Sequence, residues 1–229
     1  MAFVTITPRN LNLPIARFLS EDEQGQYQET VNGYTNKRAR RTLDIEQKGS
    51  NLPKILLLNK MGIRTATLDE LDLIAEQNPD FLRGNYFDSQ SVVLRSEGDS
   101  YAPNDQIAKY LAKQVKSREL NLDQPIVISG LSLVQDNNSI YGLRLQTNKQ
   151  TQMFEAPELS HENNNKKFSK QDERGIPIFD KQGNRTLYTR DSGLSRLGFG
   201  CYLDLYSVWG SLYYSSSNGR VVVVEGGKK

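Results

Sequence analysis

The chain has 229 residues, enough for one large core or two small ones, and its 29 Lys and Arg against 27 Asp and Glu leave a net charge of +2, which gives no strong steering toward nucleic acid. An apolar content of 37%, a mean hydropathy of −0.61 and the absence of any run of 18 apolar residues leave no candidate for a membrane-spanning helix. A single cysteine, Cys201, excludes an internal disulfide framework and a cysteine-based zinc site.

Residues 1–19 read as an extended apolar segment around Phe3, Val4, Thr5 and Ile6, interrupted by Pro8 and Pro14. Arg9 and Arg17 lie inside it and no basic stretch precedes an apolar one, so it does not read as a signal peptide. Residues 20–51 are polar, carry the basic run Lys37-Arg38-Ala39-Arg40-Arg41, and complete an irregular N-terminal arm, 1–51. Lys54 to Asn59 is a short buried strand or a turn of helix. Thr67 with Glu70 three residues on forms a capping box. The helix it starts runs to about Gln77, with Leu68, Leu71, Ile74 and Ala75 on one face and Pro79 as its stop. A second helix runs from about Asn104 to Arg118, with Ile107, Leu111 and Val115 in one stripe.

After Pro125 the pattern turns from helix to strand. Ile126 to Gln135 reads as a strand interrupted by Gly130, a turn follows at Asp136 to Ser139, and Ile140 to Thr147 alternates as a half-buried strand does. Residues 157–173 read as a polar loop. Ile176 to Phe179 and Arg185 to Thr189, joined by a turn at Asp180 to Asn184, give a hairpin signal. Val221 to Val224 is a final buried strand. Helices first and antiparallel strands later make an α+β domain, and with no internal repeat and no clean linker the whole chain, 1–229, reads as one domain.

The window from Asp191 to Val224 contains no Lys, Glu, Gln or Met in 34 residues, although those types supply 45 of the 229. At that frequency about seven are expected in the window. Tyr, Ser, Gly and Leu take their place, with Cys201 and the only tryptophan, Trp209. Tyr together with Ser, Gly and Asn is the composition of binding loops, in which tyrosine offers large contact area on two torsions. From Tyr202 to Gly210 the residues alternate. Leu203, Leu205, Ser207 and Trp209 form one set, and Tyr202, Asp204, Tyr206, Val208 and Gly210 the other. In extended backbone these sets face opposite sides, and the apolar set packs inward. The phase slips near Ser211 and Leu212. A row of tyrosines turned outward over an apolar anchor builds an interaction surface; an ordinary loop-rich stretch with half-buried tyrosines would have the same composition.

Three runs in this region, Arg190-Asp191-Ser192-Gly193-Leu194-Ser195-Arg196-Leu197, then Leu203, Leu205, Ser207 and Trp209 at alternate positions, then Ser217-Asn218-Gly219-Arg220 with Val221 to Val224, resemble the variable region of diversity-generating retroelement variable proteins, most of all those of archaea and archaeal viruses. Upstream, Pro125 to Leu131, Tyr141 to Leu145 and Asp172 to Pro177 are similar to the same group, so that the resemblance spans roughly residues 125–225. In that family a reverse transcriptase copies a template and scrambles its adenines, so that AAC codons yield about fifteen residue types and never Lys, Glu, Gln, Met or Trp. The depleted window fits that rule, and Trp209 falls in the inward set, as a fixed residue should. The resemblance implies a C-type lectin fold and a variable face at about 198–218. It implies that Gly198, Gly200, Cys201, Tyr202, Asp204, Tyr206, Val208, Gly210, Tyr213, Tyr214, Ser216 and Asn218 are displayed to a protein or glycan ligand, on a virion or another surface. Phe199 is reachable too but reads equally well as an apolar anchor.

The departures are specific. Neither the Glu-Pro-Asn nor the Trp-Asn-Asp ligand motif of calcium-dependent lectins occurs, since Trp209 is followed by Gly210 and Ser211, and a calcium site of that kind is not expected. The formylglycine-generating enzymes share the broad fold but need catalytic cysteines, so an enzyme of that kind is the weaker alternative and no cofactor or metal is expected. His161, the only histidine, sits in a polar loop without partners and reads as solvated. Gly198-Phe199-Gly200 begins like a dinucleotide loop, but Leu203 stands where the third glycine belongs. The run at 37–41 could hold phosphates through Arg38, Arg40 and Arg41, but only Tyr34 is nearby for stacking, and a solvated face is the favoured reading.

Overall fold

The computed structural model describes residues 15–45, 49–215 and 217–225. The apolar segment expected at Phe3 to Ile6 lies outside them, and Ile15–Phe18 forms strand β1. The stretch read as an irregular arm is instead helical: α1 spans Glu21–Asn32 and α2 spans Lys37–Leu43. Ser20 and Glu23 make a full capping box for α1, and the Asn36 side chain caps α2 by accepting from the Arg38 and Ala39 amides. Each helix buries only two side chains, Tyr27 with Val31 and Ala39 with Leu43, one turn apart. So sparse an apolar stripe does not stand out from a polar sequence.

Asn51 caps α3, Leu52–Lys60, and settles the choice at KILLLN in favour of helix. Helix α4, Leu68–Gln77, matches the expected bounds and buried face, with the Thr67 amide donating to Glu70 at 3.0 Å. It stops ahead of Pro79 as expected, with Asn78 in non-helical backbone, and Pro79 then occupies the first turn of a further short helix, α5, Pro79–Leu82, where proline is well tolerated. Strand β2, Phe87–Leu94, follows, and then α6, Ala102–Lys116, which buries the expected stripe of Ile107, Leu111 and Val115. Six helices thus stand among the described residues where two were expected.

The remaining strands are β3, Ile126–Ser129; β4, Ser132–Gln135; β5, Leu143–Gln146; β6, Gln152–Glu155; β7, Lys167–Gln171; β8, Pro177–Phe179; β9, Arg185–Thr189; β10, Leu194–Phe199; β11, Leu205–Ser207; and β12, Val222–Glu225. Eight form one sheet in the order β6-β3-β2-β10-β11-β9-β7-β8; β1 pairs with β12 and β4 with β5. The architecture is mixed α+β. The single strand expected over 126–135 is two strands in different sheets, broken at Gly130, whose φ of +69° suits glycine. The strand expected over Ile140 to Thr147 is confined to β5, and Ile140 is 62% exposed. The polar loop at 157–173 contains two 3-10 turns and β7. The expected hairpin does not close on itself: β8 and β9 pair on opposite edges of β7, which takes the ladder each would have offered the other.

Two buried clusters pack against the large sheet. One holds α1, α2, α3 and α6 side chains with Val92, Leu94, Ile126 and Ile128; the other holds α4 side chains with Phe87, Val93, Val127, Leu187, Leu197, Phe199, Leu203 and Leu205. The apolar runs Val92-Val93-Leu94 at the end of β2 and Ile126-Val127-Ile128 in β3 follow from this, since both faces of the sheet are covered there. In β12 and the residue before it, Val221 and Val223 face the first cluster and Val222 and Val224 the second.

Candidate functional site

Register across the sheet sets one transverse row: Asp88 on β2 stands opposite Gly198 on β10, Gly198 opposite Tyr206 on β11, and Tyr206 beside Tyr188 on the parallel neighbour β9. Leu205 and Leu187 pack into the second cluster, so Tyr206 and Tyr188 face the other way. The expected alternation holds from Tyr202 to Val208. Leu203, Leu205 and Ser207 are buried; Tyr202 is 82% exposed, and Asp204, Tyr206 and Val208 are half-buried. Ser207 is buried without cost because it joins a polar cluster around Arg95, whose guanidinium donates to Ser195, Ser207 and Thr189 and to the Leu159 carbonyl. Burial, and then the neighbouring Arg190, pull Arg95 down to about 9.

On the outward side the rings form a stack. Tyr206 lies between Tyr188, at 4.8 Å between centroids, and Trp209, at 4.6 Å and nearly parallel. Tyr86 meets Trp209 edge-on at 5.7 Å, and Arg196 lies over the indole at 5.1 Å. Arg196 is buried and donates to both carboxylate oxygens of Asp88, at 2.8 and 2.9 Å, and to the Tyr214 carbonyl. Burial lifts the Asp88 carboxyl to about 6, against the pull of Arg196. Burial, and then the neighbouring Asp204, hold the Tyr206 phenol above its ordinary value. Tyr86 ties the stack to the end of the window: its amide donates to the Asn218 carbonyl, and its hydroxyl donates to the Ser50 carbonyl and is hydrogen-bonded to the Ser215 hydroxyl.

The twelve expected display positions divide. Tyr202, Tyr214 and Asn218 are exposed, and Cys201, Asp204, Tyr206, Val208 and Gly210 are half-buried. Asp204 is also engaged, since its carboxylate accepts from the Thr186 amide at 2.6 Å. Gly198, Gly200 and Tyr213 are not displayed but buried. Gly198 lies in a strand paired on both sides, and a Cβ there would collide with the Phe87 carbonyl and come within 3.2 Å of the Asp88 Cα. Gly200 is covered by the Tyr206 ring. Beyond the phase slip Tyr213 turns into the first cluster, stacks on Tyr141 at 3.8 Å, and has its phenol pushed up by that burial. Ser216 lies outside the described residues. Trp209, assigned to the inward row, is half-buried and takes part in the stack.

Sequence reasoning missed Tyr188, Arg196 and Tyr86 as parts of this face. The in-out alternation of Leu187 and Tyr188 was available as a signal for the first; the parallel pairing that brings it to Tyr206 was not. Among the other candidates, His161 is exposed, and among the described residues no three His, Cys, Asp or Glu side chains are placed to hold a metal ion. The basic run is the solvent side of α2, with Lys37, Arg38 and Arg41 exposed and Arg40 half-buried. Among the described residues no helix is long and apolar enough to cross a membrane. No family model matches the chain, nor does any curated protein or solved structure.

Proposed function

We propose that this is a ligand-binding protein of C-type-lectin-like fold, a receptor-binding or adhesion protein whose outward C-terminal residues are diversified by a retroelement. The observation that carries the reading is the division of one short stretch into two rows. Leu203, Leu205 and Ser207 are buried, while Tyr202, Tyr206, Val208 and Gly210 reach solvent beside Tyr214 and Asn218. Such a face tolerates exchange of its outer residues because each surface change costs about 0.5 kcal/mol or less, whereas core changes cost several. The ring stack supplies rigid aromatic contact area of the kind that dominates protein interfaces. Binding proceeds by surface contact with a protein or glycan, without chemistry, on a virion or other displayed surface. Buried Gly198 and Tyr213 belong to the support in this reading, Gly200 lies directly under the Tyr206 ring of the outward row, and the contacting set is Cys201, Tyr202, Asp204, Tyr206, Val208, Gly210, Tyr214 and Asn218.

Sequencing the gene with its flanks tests the proposal. A downstream near-repeat differing at adenines, together with a neighbouring reverse transcriptase gene, is the expected result. The absence of both removes diversification and leaves only an aromatic binding face.

A further inference from the structure

We propose that positions 200 and 206 act as one specificity-determining unit, set between two fixed rings, Tyr188 and Trp209. This rests on the reading that the outward row is the exchangeable one. Tyr206 fills the space between those rings, inclined 29° to one and 7° to the other. Neither wall is free to retreat. Tyr188 stands on β9 between buried Leu187 and Thr189, in register with β11. The Trp209 carbonyl accepts from the Arg196 amide at 2.9 Å, with the Arg196 guanidinium and Tyr86 against the indole.

Gly200 closes the third side. A Cβ built there would lie 2.8 Å from Tyr206 Cδ2 and nearer still to Cε2. Backbone movement cannot relieve this easily. The Gly200 amide donates to the Asp204 carbonyl and the Gly200 carbonyl accepts from Leu203, both at 2.9 Å, in a turn that holds Leu203 at φ +69°. The Cys201 carbonyl, one residue on, accepts from the Gly84 amide. A side chain at 200 and an aromatic ring at 206 therefore exclude each other. With glycine at 200 the chain closes its own three-ring stack and offers a partner ring edges and phenol hydroxyls. With a side chain at 200 and a short residue at 206, a slot one ring thick opens between Tyr188 and Trp209. That slot suits a planar aromatic group of the ligand.

Trp209 is the only tryptophan, so its emission reports the stack directly. The test is a double-mutant cycle on the full chain, reading Trp209 emission and melting temperature for Gly200→Ala, Tyr206→Ala and the pair. Each single change is expected to shift the emission to the red. Gly200→Ala should lower the melting temperature by on the order of 5 °C with Tyr206 present, and produce no further change once Tyr206 is alanine. Unaltered emission in Gly200→Ala, or effects that add, overturns the proposal. If Gly200→Ala fails to fold and the double variant folds, the coupling stands. If the double variant or Tyr206→Ala alone fails to fold, the proposal falls, since the obstruction at 200 would lie elsewhere or 206 would be a core position. The cycle needs no partner, so its failure leaves the diversification reading intact, and a missing template repeat leaves the coupling intact.

Discussion

Strand β10 and the segment from Tyr202 to Tyr214 are both free of Lys, Glu, Gln and Met, and the fold uses them in opposite ways. All six residues of β10 are buried, because it pairs with β2 on one edge and β11 on the other and has side chains packed over both faces. The later segment has an apolar floor only, and its upper side is the ring stack with Tyr202 and Tyr214 in solvent. A reduced composition marks the stretch but does not decide which part of it is a surface. Position in the sheet decides that, and it places Arg196 and Gly198 among the supports.

The sharpest way to break this contrast is Arg196→Ala. Removing it strands the buried Asp88 carboxylate, and unfolding by denaturant is expected to show a loss of about 3–5 kcal/mol. Asp88 already holds its proton more tightly than an ordinary aspartate, which titrates near 3.8. A raised folded pKa gives stability that is present at low pH and lost as pH rises through the folded value. The loss in Arg196→Ala should therefore be smaller at about pH 5 than at about pH 8; the opposite trend would mean that Asp88 does not depend on its partner.

Leu205→Ala comes next, at about 2–5 kcal/mol, because the side chain is fully buried in the second cluster. Val208→Ala, three residues on in the outward row, should cost far less, and equal losses would dissolve the division into rows. Glycine exchange sharpens the same comparison. Gly198→Ala should cost about 1–3 kcal/mol, since its new carbon meets strand backbone. Gly210→Ala should be nearly neutral, because the nearest obstacle is the flexible end of Arg190. Thermal melts of the two variants side by side decide it. The smallest effects, within about 0.5 kcal/mol, belong to Tyr202→Ala and Tyr214→Ala, and a large loss at either would mark it as structural.

What was legible depended on range. The capping box at Thr67 and Glu70, the helical stripe of Ile107, Leu111 and Val115, and the alternation from Tyr202 to Val208 are local patterns with a fixed period, and the structure follows each. Helices α1 and α2 were legible only through their caps, since two buried residues each leave hardly any stripe. Strand β2 escaped notice altogether, although it stands near the middle of the sheet; its buried Asp88, Ser89 and Ser91 blur the apolar signal.

By itself, the sequence determined which residues from Tyr202 to Val208 point together and which point apart, because successive side chains of an extended backbone alternate whatever lies around them. Only the tertiary structure decided what covers each row. Pairing of β10 with β2 buried Gly198, the slip after Gly210 turned Tyr213 into the helical cluster, and the parallel docking of β9 beside β11 delivered Tyr188 to Tyr206. Those contacts join residues distant along the chain, and no local period records which strands will meet.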